Sequence, residues 1–291
     1  MKKRYKRLII WMVLILGMLK LNACFQFRET PKKVMKSFAN RGMEVQLKTF
    51  EIDSQHLHFV RTSFSDSSKP LAIFVHGSPG ASDNFQDNLY DSILRVQFEM
   101  ISVDRPGFGH SDFGHSLPSL KGQAALIAAL LDSFPERQIF LIGHSYGGPV
   151  IVRMAIDYPE RIAGLLIVGG SVDPELEPEE WWRKPANTWF GRLLIPKSIE
   201  VSNQEILTLK QDLIDMLPLW KKIEIPVYIL QGQKDKLVPP GNADFAEKHL
   251  VNSSWVKVNR VDDMNHFFPF TRHEMITEAL LELSEQSSKL D

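Results

Sequence analysis

From about residue 44 onward, short apolar runs rich in β-branched and aromatic residues alternate with longer stretches in which apolar residues recur every three to four positions. That alternation predicts a layered α/β domain, in which helices cover both faces of a sheet. The expected strands are Val45–Ile52, 56–64, Leu71–Val75, Glu99–Val103, 138–142, 163–168, 227–230 and 255–261. Helical patterns fall at 83–96, 120–134, 147–158, 242–250 and 271–286. The middle strands read as unbroken apolar runs, as parallel strands buried on both faces do. An antiparallel hairpin leading into a parallel sheet with crossover helices is the expected topology.

Residues 174–220 break the rhythm. They contain no strand pattern, open on Glu175, Glu177, Glu179 and Glu180, and carry Trp181, Trp182, Trp189, Phe190 and Trp220. A helical insertion here would cap the strand ends, where α/β proteins bind ligands. Aromatics at helical spacing are expected to pack the cap against the core rather than to hold a ligand.

The amino terminus has its own pattern. Five positive charges lie within the first seven residues, followed by an apolar run over 8–19 that Lys20 interrupts. Twelve apolar residues at helical rise cover about 18 Å, short of a hydrocarbon core of about 30 Å, so an export signal is expected rather than a membrane span. The sequence Leu21-Asn22-Ala23-Cys24 resembles the lipobox of bacterial lipoproteins, where signal peptidase II cuts before a diacylated cysteine. The resemblance implies a signal peptide over 1–23, lipidation of Cys24, a tether over 24–43, and a protein held on an envelope membrane outside the cytoplasm. An uncleaved interfacial anchor and an ordinary signal peptide are the alternatives.

Charge and composition sharpen this picture. The 34 Lys and Arg nearly cancel the 35 Asp and Glu, but six of the basic residues and no acid fall in 1–23, leaving 28 against 35, formally −7. Arg28, Lys32, Lys33, Lys36 and Arg41 cluster just after Cys24, where they would meet anionic lipid or solvent. No nucleic-acid partner is expected from such a chain. The lone Cys24 excludes an intrachain disulfide, and the nine scattered histidines show no metal-ligand spacing, so neither metal nor cofactor is expected.

Candidate chemistry centres on Gly143-His144-Ser145-Tyr146-Gly147-Gly148, which joins an apolar strand to a helical pattern. A serine between glycines at such a junction sits on a turn too tight for side chains two residues away, so Gly143 and Gly147 leave its hydroxyl raised at a helix amino terminus. A nucleophilic serine needs a base and an orienting acid. Asp235 follows the strand at 227–230 and His266 the strand at 255–261, on the same sheet edge as Ser145. Asp173, just past the strand at 163–168, is the rival acid. The turn His76-Gly77-Ser78-Pro79-Gly80 offers backbone N–H groups, so Ser78 N–H and Tyr146 N–H are the expected oxyanion-hole donors. Asp104 and Arg105 are read as braces of the loop after the fourth strand, and His144 as a local packing residue.

Together with Asp104-Arg105-Pro106-Gly107-Phe108-Gly109-His110-Ser111, these stretches resemble the α/β-hydrolase superfamily over about residues 44–291. The resemblance implies a mostly parallel eight-stranded sheet flanked by helices, with a helical cap after the sixth strand and core segments 44–173 and 221–291. It implies a serine hydrolase in which His76 supports the oxyanion turn, with carboxylic ester cleavage of a small or medium apolar substrate as the expected activity. The turn at His76 is similar to that of proline iminopeptidases, and the elbow looks like those of esterases and carbon–carbon bond hydrolases. Amide or carbon–carbon cleavage is therefore the alternative, with Glu179 or Glu180 available to a free amino group, and a catalytically silent ligand-binding protein is the alternative of another class.

Overall fold

The computed structural model describes residues 26–62 and 68–289, together with Tyr5. The expected signal peptide, apart from Tyr5, and the expected lipidation site Cys24 lie outside the described residues. Among the described residues no helix is long and apolar enough to cross a membrane.

Eight strands form one sheet: β1 (Val45–Ile52), β2 (Gln55–Thr62), β3 (Leu71–Val75), β4 (Glu99–Val103), β5 (Ile139–His144), β6 (Gly164–Val168), β7 (Val227–Gly232) and β8 (Val256–Val261). Their order is β1-β2-β4-β3-β5-β6-β7-β8. β1 and β2 form an antiparallel hairpin with Ile52 opposite Gln55. Its two-residue turn places Asp53 and Ser54 at φ +48° and +66°, the primed turn whose twist matches a strand pair. β2 joins β4 antiparallel, and every later pairing is parallel.

The helices are α1 (Pro31–Ala39), α2 (Gln86–Tyr90), α3 (Ser92–Gln97), α4 (Leu120–Ala128), α5 (Gly147–Asp157), α6 (Arg183–Ala186), α7 (Trp189–Leu194), α8 (Lys197–Met216), α9 (Gly241–His249), α10 (Phe268–Thr271) and α11 (Glu274–Ser288). Strand residues alternate between two apolar layers. Ile73, Val75, Leu141 and Ile229 join side chains of α4, α5 and α9 on one face. Ala72, Phe74, Ile142 and Leu230 join those of α1, α3 and α11 on the other.

Three details differ from the sequence pattern. The expected helix at 83–96 is broken at Asp91, whose carboxylate accepts from the Ile93 and Leu94 N–H groups and restarts the chain as α3. The expected tether carries α1, capped by Thr30 with Pro31 in its first turn, and it buries Val34 and Phe38 against the core. The cap aromatics pack as expected only in part. Trp220 is buried, whereas Trp181 and Trp189 are 84% and 78% exposed and Phe190 is exposed beside them.

The topology reverses at β3, which has β4 on one side and β5 on the other. Loops leaving β3 and β5 therefore diverge and open a crevice at the carboxyl edge of the sheet, the place where open α/β sheets bind ligands.

Candidate active site

Strand register brings the candidate groups together in two pairs. Val75 lies opposite Gly143, so the turn after β3 and the turn after β5 are neighbours. Gly232 lies opposite Val261, so the loops carrying Asp235 and His266 are neighbours as well.

Ser145 sits at φ +54°, a left-handed conformation that costs energy for any residue with a Cβ. The turn persists because its surroundings fix it. Ser145 N–H donates to the Val168 carbonyl at 3.0 Å, and the Ser145 carbonyl accepts from Gly148 at 2.9 Å and Ser171 at 3.2 Å. Side chains are excluded on either side: a Cβ on Gly147 would lie 2.1 Å from the Val75 carbonyl oxygen, and one on Gly143 would lie 2.4 Å from that of Gly147. The serine precedes the first turn of α5 and so stands at the positive end of that helix's dipole.

Asp235 and His266 are in contact: Nδ1 of the imidazole lies 2.6 Å from Asp235 Oδ2. The other carboxylate oxygen, Oδ1, accepts from the N–H groups of Leu237 at 2.9 Å and Val238 at 2.8 Å. With Oδ1 held by the backbone, Oδ2 is left for the ring, so the carboxylate fixes the imidazole with Nδ1 as donor and Nε2 free. Asp173 is placed elsewhere. It caps a short turn, accepting from Glu175 N–H at 2.9 Å. Asp262 and Asp263 are exposed, and Asp263 reaches Arg272.

The turn after β3 lies against the elbow, since a Cβ on Gly77 would come within 2.9 Å of Ser145 Cβ. His76 is fully buried and holds this turn. Its Nε2 accepts from Arg105 N–H at 2.9 Å, which makes Nδ1 the protonated nitrogen that donates to the Gly77 carbonyl at 2.7 Å. Burial, then the Arg105 charge, push its pKa down to about 3, so it is a neutral brace. Arg105 donates to the His76 and Gly77 carbonyls, both at 2.8 Å. It also forms a two-pronged ion pair with Glu205 of α8 at 2.8 and 2.9 Å. A second link runs from Ser78 Oγ to Ser202 Oγ at 2.8 Å. Glu205 and Ser202 carry no signal in the sequence, since polar residues on an amphipathic helix read as a solvated face.

Asp104 braces the neighbouring loop. It accepts from Ser82 N–H at 2.6 Å, His110 N–H at 2.7 Å and His58 Nδ1 at 2.8 Å. Burial opposes its ionisation, but these bonds, led by His58, hold its pKa below the ordinary value.

All of this surrounds a cavity of about 800 Å³ beneath the cap. Ser145, His266, Ser78 and Tyr146 line it, with Ile199, Ile206, Leu209 and Val238 as apolar wall and Phe27, Phe267 and Phe270 as part of it. Glu177 also faces it, hydrogen-bonded to Ser171, with its carboxyl pushed up by burial. Among the expected amine-binding acids, Glu180 pairs with Arg183 and Glu179 lies 3.6 Å from Lys210. No cluster of metal-ligating side chains occurs among the described residues.

This arrangement, a Ser-bearing strand–turn–helix at the switch point of a doubly wound sheet, defines an α/β-hydrolase-fold protein, and residues 70–196 match the family model for the alpha/beta hydrolase fold. The chain has the α/β-hydrolase fold over its eight-stranded sheet. It is 30% identical over 162 residues to a 1-acylglycerol-3-phosphate O-acyltransferase of Arabidopsis thaliana, covering 51% of this chain and 37% of that protein. It is 36% identical over 117 residues to a 2-hydroxy-6-oxononadienedioate/2-hydroxy-6-oxononatrienedioate hydrolase of Burkholderia vietnamiensis, 38% of this chain and 40% of that one. The match thus spans about two fifths of the length of these relatives. Among solved structures, a membrane phospholipase A superposes with a TM-score of 0.62 at 16% identity, covering 99% of both chains. An epoxide hydrolase of Vigna radiata gives 0.65 at 16% identity, covering 84% of this chain and 98% of that one. At such identities the likeness is one of fold.

Proposed function

We propose that this enzyme hydrolyses a small, largely apolar organic substrate through Ser145, His266 and Asp235. The observation that carries the reading is the convergence on one cavity of the strained Ser145 turn and the His266 imidazole, with Asp235 2.6 Å behind the ring. Ser145 Oγ attacks a carbonyl carbon while His266 Nε2 takes its proton. The resulting oxyanion is held by the Ser78 and Tyr146 N–H groups. The leaving group departs with the proton from His266, and water activated by the same ring then releases the acid and restores Ser145.

On the bond attacked, the relatives weigh toward the carbon–carbon alternative over the ester expected from sequence. The oxo-dienedioates for which the Burkholderia enzyme is named hold neither ester nor amide, so their hydrolysis must break a carbon–carbon bond. Carboxylic ester cleavage is the second reading, and the phospholipase A fold neighbour favours it. Amide cleavage is weaker here because Glu179 and Glu180 are engaged by cations of the cap.

A fluorophosphonate probe tests the chemistry. Wild type is labelled and Ser145→Ala is not; absence of labelling of the intact protein would mean that Ser145 is no activated nucleophile. Turnover of a vinylogous 1,5-diketone acid against p-nitrophenyl esters then separates the two bond types. For location, the support is the sequence alone: Cys24 as a diacylated residue on an envelope membrane, since two acyl chains anchor stably where one does not. Cys24→Ser then moves the protein from the membrane to the soluble fraction, and unchanged retention would refute the anchor.

A further inference from the structure

The Gly77 carbonyl and the Ser78 N–H belong to one peptide group, so whatever holds the carbonyl aims the N–H. That carbonyl accepts from Arg105 Nη2 at 2.8 Å and His76 Nδ1 at 2.7 Å. Charge-assisted hydrogen bonds are shorter and stronger than neutral ones, and a bond to the carbonyl end of a peptide polarises its N–H end. Arg105 also lies 4.5 Å from the ring centre of Tyr146, the residue that would give the other donor. Its guanidinium is spoken for on every side, by His76, Gly77, Gln123 and Glu205.

Glu205 is 1% exposed and comes from the cap helix α8. A buried ion pair of this sort is weak evidence for stability, because desolvating both charges offsets their attraction. Three residues earlier on the same helix, Ser202 meets Ser78 itself at 2.8 Å. The cap helix therefore grips the turn twice, once at the residue whose N–H is at issue and once through the cation behind its peptide.

Resting on the serine-hydrolase reading above, we propose that Arg105 is a positioning residue that orients and polarises the Ser78 N–H, and that Glu205 of the cap sets Arg105 in place. The cap thereby acts on the reacting oxygen as well as on substrate fit. Movement of α8 displaces the guanidinium fork, leaves the Gly77 carbonyl to the neutral His76 alone, and so weakens both the aim and the polarisation of the Ser78 N–H. Substrates that hold the cap down are rewarded in the chemical step, with little change in ground-state binding.

The test is the fluorophosphonate phosphonylation of Ser145, with kinact and KI measured separately. Arg105→Met with Glu205→Leu removes the pair without leaving an orphaned charge, the kind of exchange that proteins tolerate. The expected result is a kinact lower by about 10- to 100-fold, a fraction of the loss on deleting a donor outright, with KI within about threefold. Glu205→Asp keeps the charge but withdraws it by one methylene, so it serves if the double variant does not fold; a kinact lower by about three- to tenfold at unchanged KI is expected. A folded variant with wild-type kinact overturns the inference. Failure of wild type to label overturns the serine-hydrolase reading instead, so the two failures are distinguishable.

Discussion

The rings of His144 and His266 lie 4.7 Å apart, tilted by 34°, and His144 Nε2 donates to the His266 backbone carbonyl at 3.1 Å. One imidazole thus supports the other from beneath. Burial, then the neighbouring His266, push the His144 pKa down to about 3, so this ring stays neutral. Its contact with the His266 main chain holds the loop that presents the second ring to the cavity.

Two neutral buried histidines make folding sensitive to acid. His76 and His144 both have pKa values lowered to about 3 from 6.5, so between those limits the unfolded chain binds protons that the folded one refuses. Stability is therefore retained above pH 6.5 and lost as pH falls, by about 2 kcal/mol for each ring at pH 5. Asp83 works the other way. Its pKa is raised to about 6, chiefly by burial, so protonation below that value favours the fold by about 1 kcal/mol at pH 5. The expected sum is a lower urea midpoint at pH 5 than at pH 7, and a larger drop in Asp83→Asn, which lacks the compensating group. Equal midpoints in wild type at both values would contradict it.

Asp235→Asn is expected to fold and to lose about 10³- to 10⁴-fold in kcat. The Leu237 and Val238 N–H groups require an acceptor, so the amide oxygen would take the place of Oδ1 and turn its NH₂ toward His266. Nδ1 must then accept, which moves the ring proton to Nε2, the nitrogen that receives the serine proton in the proposed mechanism. Steady-state kinetics with an unchanged melting temperature would check this.

Gly147→Ala probes the elbow directly. Its Cβ would lie 2.1 Å from the Val75 carbonyl oxygen and 2.9 Å from that of His76, both main-chain atoms of the strand end that carries the β3 turn. Neither can retreat without unpairing β3 from β5. A loss of more than about 3 kcal/mol, or no soluble protein, is expected from such overpacking. Chemical denaturation gives the value.

The sheet is legible in the sequence because β3 to β7 are buried runs and β1 and β8 alternate apolar with polar residues, patterns whose length and punctuation are local properties. Ser145, Asp235 and His266 can be located for the same reason, each lying just past a strand. What is not legible depends on distant partners. Glu205 meets Arg105 across 100 residues of chain, and no periodicity reports that a glutamate on α8 faces inward. The exposure of Trp181 and Trp189 runs against expectation because aromatic spacing marks a helical face without saying whether anything covers it. α1 is hidden by having only Val34 and Phe38 to bury among charged neighbours.

The sheet is completed in an order that matters for incomplete copies. β8 pairs with β7 alone, and His266 follows it near the end of the chain. A copy that stops during synthesis or is clipped before residue 266 keeps the serine turn and Asp235 but has no imidazole to set between them. Under the proposed chemistry such fragments would be silent toward substrate, and reactivity at Ser145 would be a molecular certificate that the last strand has been laid down.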